Sequence, residues 1–463
     1  MTHRPIIIHD FAITFGNTSC FEAFNCQIPW GSRIAIIGRN GSGKSMLIKS
    51  IAQIYQGFSG QLIVPDDVSL GYVPQTVCAQ PHLSGGQRFN HALSAALSGH
   101  PNVLLLDEPT NHLDQANRKS LMRMLNRYDG TLIIVSHDRT LLRSCIQTLW
   151  HIQPPAIHVF SGEYDHYIDG IEIHKKAIEA QLFEIKQAHS ATHESLMNAQ
   201  NRASKLKKQG QKHIKNKKYA TVKSPAKVSR SNATSGKQKS AILKTKESLS
   251  EKLESLKLPP VILPTFNLTG HTLGRTQQVL IYEGVCGYEA ETSILHSISF
   301  ALDAISKVAI LGNNASGKST FLKALMNAPE LIRSGQWVCP NPDEIGYLDQ
   351  HYSNLQPHHT VYESLSYADS GFSETQLRRH LSEFLFSTQA QIQTRVLDLS
   401  GGEKARLSLS LIALKPPKLL ILDEITNNLD LETTDHVIQV LSSYPAAMVV
   451  VSHDLAFIRA IGI

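Results

Sequence analysis

The sequence predicts an α/β fold that occurs twice in tandem. Two observations carry this: short β-branched apolar runs, each followed by a helical stretch, and a set of dissimilar motifs that recurs in the same order. A third, the distribution of charge, marks what separates the two copies.

The strands come first. RIAIIG (33–38), VLLLD (103–107) and TLIIVS (131–136) have counterparts in KVAILG (307–312), LLILD (419–423) and MVVVS (448–452). Runs this short, without polar alternation, read as strands of a mostly parallel sheet buried on both faces.

The repeat is explicit in the numbering. GRNGSGKS (38–45) returns as GNNASGKS (312–319), an offset of 274, and Gln75 in GYVPQ returns as Gln350 in GYLDQ, an offset of 275. SGGQ (84–87), the Asp107-Glu108 pair and SHD (136–138) then return as SGGE (400–403), Asp423-Glu424 and SHD (452–454), all at an offset of 316. Five motifs repeated in order make the chain a tandem duplication. The jump in offset places about 41 extra residues of the second copy between its glutamine and its SGG. Only eight residues separate Gln75 from Ser84, so the first copy has nearly lost the helical subdomain expected there.

Composition bounds the rest. Over 463 residues the hydrophobic share is 42%, ordinary for globular cores. No run of about 18 apolar residues occurs, so no membrane span is expected, and the N-terminus has neither a long apolar region nor a small-residue cleavage site. The six cysteines include no C-x-x-C pair, which argues against zinc, iron–sulfur or disulfide frameworks and suits a reducing cytoplasm. Net charge is +6, yet between Lys186 and Lys246 fourteen Lys and two Arg face the single acid Glu194. That segment carries +15 and leaves the remainder acidic. Such a run reads as a solvated surface or a nucleic-acid contact.

The domain boundaries follow: a first α/β domain at 1–169, a basic helical linker at 170–258 and a second α/β domain at 259–463. The linker reads as two helices joined by a polar, basic tip. Its first helix is expected from about 172 to 208, roughly 50 Å long at the α-helical rise.

G-x-x-x-x-G-K-[ST] is the phosphate-binding loop. Backbone N–H groups at a helix N-terminus surround the phosphates, the lysine adds a mobile cation and the hydroxyl holds Mg²⁺. The ATP-binding positions are Gly38, Asn40, Gly41, Ser42, Gly43, Lys44, Ser45 and Met46 in the first copy. In the second they are Gly312, Asn314, Ala315, Ser316, Gly317, Lys318, Ser319 and Thr320. Ala315 replaces the middle glycine. Asp107 and Asp423, at strand ends, suit Mg²⁺, and Glu108 and Glu424 suit a general base for the attacking water. An isolated Asp-Glu more often caps a helix; beside a P-loop that alternative weakens. His137 and His453 follow a third strand, where a neutral imidazole can meet the γ-phosphate and orient the water.

LSGGQ (83–87) and LSGGE (399–403) resemble the signature of ABC nucleotide-binding domains, in which the signature of one domain closes over ATP on the P-loop of the other. The resemblance implies one site of Lys44, Ser45, Gln75, Asp107, Glu108 and His137 with Ser400, Gly401, Gly402 and Glu403. The other combines Lys318, Ser319, Gln350, Asp423, Glu424 and His453 with Ser84, Gly85, Gly86 and Gln87. Gln75 and Gln350 join Ser45, Ser319 and the two aspartates around Mg²⁺, and Phe15 and Tyr288 stand where the family stacks adenine. The predicted fold class is therefore α/β, two P-loop ABC domains in tandem joined by a basic helical linker.

Two cassettes on one chain, the linker, EPTNHLD and the segment FSGEYDHY (160–167) are similar to ABC-F proteins. The resemblance implies a cytoplasmic, monomeric ATPase whose cassettes form an intramolecular sandwich. It acts at the ribosome, with a linker directed toward ribosomal RNA and P-site tRNA, as a translation factor or an antibiotic-resistance ribosomal protection protein. Lys205, Lys207, Lys208, Lys212, Lys215, Lys217 and Lys218 are the expected RNA contacts, through phosphates rather than bases. The resemblance also implies a tilt toward ribosome protection, because several resistance members of the family are similarly short between the positions of Gln75 and Ser84, where several translation factors carry an extra arm. Family members commonly continue through further strands where this sequence reaches Ile463, so the second domain reads as short at its C-terminus. The alternative is the ATPase subunit of a membrane transporter, which needs a membrane partner and leaves the basic linker unexplained. A DNA-repair ABC ATPase needs zinc cysteines or a long coiled coil, and the sequence has neither.

Overall fold

The computed structural model describes residues 2–15, 18–75, 85–111, 113–215, 266, 277–289, 292–368, 371–427 and 429–463. Residues 1–164 and 261–463 group into one body, and residues 165–260 into another.

In the first cassette all three predicted runs are strands. β1 (Ile6–Phe15) and β2 (Thr18–Ile28) precede β3 (Arg33–Gly38), α1 (Lys44–Ile51), β4 (Phe58–Ile63) and β5 (Leu70–Val73). The signature helix α2 (Gly85–Ser98) leads to β6 (Val103–Asp107), α3 (Gln115–Asn126), β7 (Thr131–Val135), α4 (Arg139–Cys145), β8 (Thr148–Gln153) and β9 (Ala156–Ser161). The main sheet has the order β5-β6-β7-β3-β8-β9. It is parallel apart from the β8–β9 hairpin. β6 and β7 are buried at every residue, as strands covered on both faces should be. A second, antiparallel sheet, β2-β1-β4, packs Phe11, Phe21 and Phe58 against α1 and β3. That layer is an addition to the sequence reading, which placed strands only in the six apolar runs.

α5 (Tyr164–Lys215) is a single helix of 52 residues. It begins eight residues earlier than the expected 172–208 and is described for seven residues beyond it, and at 1.5 Å per residue these 52 residues rise about 78 Å. FSGEYDHY therefore runs into the helix instead of preceding it. Asp165 supplies an acid in its first turn, where the helix dipole favours one.

The second cassette repeats the plan. β10 (Gln277–Glu289), β11 (Thr292–Asp303), β12 (Lys307–Ile310), α6 (Lys318–Leu325), β13 (Ile332–Val338) and β14 (Ile345–Asp349) come first. α7 (Val361–Ala368), α8 (Glu374–Glu383) and α9 (Gln389–Gln393) form the helical insert. They precede α10 (Gly401–Leu414), β15 (Leu419–Asp423), α11 (Leu431–Ser442), β16 (Ala447–Val451) and α12 (Leu455–Ala460). The sheets are β11-β10-β13 and the parallel β12-β16-β15-β14. Among the described residues β12 lies at a sheet edge, whereas its counterpart β3 lies between β7 and β8. Leu311 is accordingly 60% exposed and Ile37, at the same place in the repeat, 2%.

Candidate nucleotide sites

Each P-loop joins a strand of a main sheet, β3 or β12, to a helix. Gly43 and Gly317 stand at the N-caps of α1 and α6 with φ of 94° and 90°, a left-handed turn that costs glycine little. Gly41 and Ala315 occupy equivalent left-handed positions, at φ 81° and 62°. A methyl at Gly41 would meet nothing within 4 Å, which explains why alanine fits sterically in the second loop and leaves only its backbone strain. Lys44 Nζ donates to Gly38 O at 2.7 Å and Arg39 O at 2.9 Å. Lys318 Nζ donates to Gly312 O and Asn313 O, both at 2.9 Å. Burial holds the Lys44 ammonium below its ordinary pKa, opposed by Glu108, Asp430 and Asp107. Met46 packs at the margin of the first core, and Thr320 is buried behind the second loop.

Glu108 and Glu424 are presented by strain. Their φ values are 50° and 51°, a region that β-carbon residues occupy at a cost of about 1–2 kcal/mol. Glu108 N donates to Val135 O at 2.8 Å and Glu424 N to Val451 O at 2.9 Å, so the neighbouring strand fixes each bend. The serine and aspartate of each SHD build a turn around the histidine. Asp138 N donates to Ser136 Oγ, and Asp138 Oδ1 caps α4 by accepting from Thr140 N and Leu141 N. Asp454 does the same with Ser452 and α12. His137 Nε2 then lies 3.5 Å from Glu108 Oε1, and His453 Nε2 lies 3.4 Å from Glu424 Oε1.

The two sites differ in their electrostatics. Burial pushes the Glu108 carboxyl up to about 8, with Lys44 opposing, and pushes the His137 imidazole down to about 3. Glu108 Oε1 and both ring nitrogens of His137 are buried without a hydrogen-bond partner. Glu424 is held below the usual carboxylate range, first by His453, against burial and with help from Lys318 and Asn427. Asn427 Nδ2 donates to Glu424 Oε2 at 2.9 Å.

Ser45 Oγ donates to Asp107 Oδ1 at 3.3 Å. One hydroxyl and one carboxylate this close fit Mg²⁺, which takes few protein oxygens and completes its shell with phosphates and waters. In the second site Tyr347 OH donates to Asp423 Oδ2 at 3.2 Å, while the equivalent Tyr72 hydroxyl is buried without a partner. Burial raises both aspartates above their ordinary pKa.

The cassettes meet across these sites. Asn40 N donates to Asp430 Oδ2 at 2.9 Å, Arg39 Nε lies 3.0 Å from Glu432 Oε2 and Arg139 Nη2 donates to Asp435 Oδ1 at 2.5 Å. On the other side, a cavity of about 420 Å³ is lined by Asn314, Ala315, Gly317, Lys318, Ser319 and Glu424, with Gly85 and Arg88 of the first signature helix. Ile294 of β11 joins them.

Sequence reasoning missed Asp430, Arg88 and Ile294. The motif LDEITNNLD contains Asp430, but that residue also caps α11 by accepting from Thr433 N, and a cap explains an aspartate there without any second role. Ser400 caps α10 in a reciprocal pair with Glu403; Gly401 and Gly402 form its first turn, and Gly86 is buried in the first turn of α2 beside Gln87. Gln75 is exposed after β5 and Gln350 is half-buried after β14. Tyr288 is 46% exposed, with Lys323 Nζ 5.9 Å from its ring centre. Phe15 ends β1. Lys205 is exposed on α5, and Lys207, Lys208, Lys212 and Lys215 lie along the same helix. Ser84, Lys217 and Lys218 lie outside the described residues.

The model of the ABC transporter family matches residues 21–81 and 295–427, once in each half. The chain is 31% identical to the ribosome protection protein VmlR of Bacillus subtilis, over 95% of this chain and 82% of that protein. It belongs to the ABC-F family of twin-cassette ATPases. Mouse ATP-binding cassette sub-family F member 3 is 26% identical over 98% of this ABC-F chain and 70% of its own length. Membership implies ATPase activity. Among solved structures, an archaeal ribosome recycling factor, aABCE1, in complex with the stalk protein aP1, covers 98% of the chain and is itself covered over 86%. Its TM-score is 0.60 and its identity 18%, which speaks to the fold. No helix among the described residues of this ABC-F protein is long and apolar enough to cross a membrane.

Proposed function

We propose that the chain is an Mg²⁺-dependent ATPase that binds the ribosome and acts on translation, in the manner of ribosome protection against antibiotics. The observation that carries the enzymatic half is the crossed arrangement, with Asp430 of the second cassette against the first P-loop and Gly85 and Arg88 of the first against the second. The ribosomal half rests on similarity to VmlR over nearly the whole chain and on the basic excess of residues 186–246.

In each site the P-loop N–H groups and Lys44 or Lys318 bind the phosphates. When bound, Mg²⁺ beside Ser45 and Asp107, or Ser319 and Asp423, supplies charge neutralisation at the phosphoryl oxygens. Gln75 and Gln350 complete the polar set around it. Glu108 and Glu424 accept the proton of the attacking water, and His137 and His453 orient that water. Phe15 and Tyr288 hold adenine. Ser84 to Gln87 and Ser400 to Glu403 close over the γ-phosphate of the opposite cassette. A single chain supplies both cassettes, and the protein works as a cytoplasmic monomer. The domains are 1–169, 170–258 and 259–463, and lysines 205 to 218 of the linker meet phosphates of ribosomal RNA and P-site tRNA.

The double change Glu108→Gln plus Glu424→Gln keeps shape and hydrogen bonding but removes the base. ATP binding should persist while turnover falls roughly 100-fold or more, and the variant should sediment with ribosomes and arrest translation in a purified system. Parental turnover would overturn the base assignment. An inactive variant that stays with membranes and never with ribosomes would favour a transporter subunit.

A further inference from the structure

Three contacts tie the first cassette to one helix of the second. Asp430, Glu432 and Asp435 occupy the N-cap and first half of α11. They face Asn40 N at 2.9 Å, Arg39 Nε at 3.0 Å and Arg139 Nη2 at 2.5 Å. Arg39 sits at a variable position of the phosphate-binding pattern, and Arg139 follows SHD, so neither is required by phosphate chemistry. The duplication supplies an internal control. At the second P-loop the positions of Arg39 and Arg139 hold Asn313 and Leu455, and the positions of Glu432 and Asp435 hold Ala116 and Lys119. Neither pair, Asn with Ala or Leu with Lys, can form an ion pair. The P-loop lysines follow suit: Lys44 is buried, at 7% exposure, while Lys318 opens onto the 420 Å³ cavity.

We propose that the two nucleotide sites open unequally: a charged clasp, Arg39–Glu432 and Arg139–Asp435, keeps the first P-loop's site shut, and nucleotide exchanges through the second. The clasp rests on the proposed function in one respect, that both P-loops bind ATP between the cassettes. Both pairs are partly solvent-exposed, so each contributes modestly and is screened by salt. Their effect on an opening rate is therefore roughly threefold to tenfold, enough to order two events without locking either.

The test is release of a fluorescent ATP analogue, with Mg²⁺, from the full-length chain. Two phases are expected. The slow phase disappears in Lys44→Ala and the fast one in Lys318→Ala. Arg39→Asn plus Arg139→Leu, which copies the second cassette's residues, speeds the slow phase about fivefold and spares the fast one. Adding 0.5 M NaCl accelerates the slow phase of the parent but not of that variant. Arg139→Glu speeds the slow phase, and Arg139→Glu with Asp435→Arg restores it, which a merely structural role for Arg139 would not produce. Equal release from both sites, or a slow phase that survives Lys44→Ala, overturns the clasp while leaving ATP binding intact. Failure of either site to bind nucleotide overturns the underlying function reading, and the clasp with it.

Discussion

The signature helices α2 and α10 are each fourteen residues long and begin at the same motif, yet they live in different surroundings. In α10 ten residues are buried, the apolar ones clustering with residues of α7, α8 and α9 such as Leu365, Leu377, Leu381 and Ile392. In α2 only Gly86 and Phe89 are buried. The nine residues between Gln75 and Gly85 are too few to build three helices. The sequence of each helix has adjusted to its cover: Leu407, Ile412 and Leu414 of α10 stand where α2 has His91, Ala96 and Ser98. Apolar area is stabilising only where something removes it from water, and a cassette that lacks its insert keeps the phosphate chemistry while giving up the apolar face. The motifs and their cover are separable.

That comparison can be broken first at the sheet. Ile37→Lys, in a strand flanked on both sides, buries a charge without a partner and should cost more than about 4 kcal/mol. Leu311→Lys, at the exposed position just after β12, should stay within about 0.5 kcal/mol. Urea titrations with hydrogen exchange read out at β3 and β12 would separate the two, and equal losses would contradict the edge assignment.

The insert comes next. Phe384 is fully buried in the cluster that covers α10, and Phe384→Ala should cost about 3–5 kcal/mol in the second cassette. Phe89→Ala on the sparsely covered α2 should cost roughly 1–2 kcal/mol, and a reversal of that order would mean that α2 is covered as well as α10.

The smallest expected difference lies at the tyrosines beside the metal-site aspartates. Tyr347→Phe removes a hydrogen bond to Asp423 and should cost about 1–2 kcal/mol. Tyr72→Phe removes a buried hydroxyl without a partner and should be neutral or slightly stabilising. Thermal unfolding of the two variants measures both, and a loss at Tyr72 would reveal a partner for its hydroxyl.

Much of this architecture was legible in the sequence, because buried parallel strands and phosphate loops leave local signatures. Each of the six apolar runs is a strand, and each GKS opens a helix. The antiparallel layer was not legible, because its strands are bulged: register shifts interrupt the β1–β2 and β1–β4 pairings, which breaks the period-2 pattern. The positive φ of Glu108 and Glu424 left no trace either, since glycine or asparagine announces such a bend and glutamate does not. Asp430 was readable as a cap but not as a partner of Asn40, because a contact spanning 390 residues has no local pattern. The linker helix was underestimated because its sequence carries weak boundary signals: Gly170 sits inside it and no proline lies between Tyr164 and Lys215.

The length of α5 also has a mechanical meaning. Tyr164 at its first residue is 1% exposed, with the Arg143 guanidinium carbon 6.0 Å from its ring centre. One turn more or less in a helix of this kind moves its last residue by about 5 Å along the axis, so an insertion or deletion of a few residues changes its reach in fixed steps.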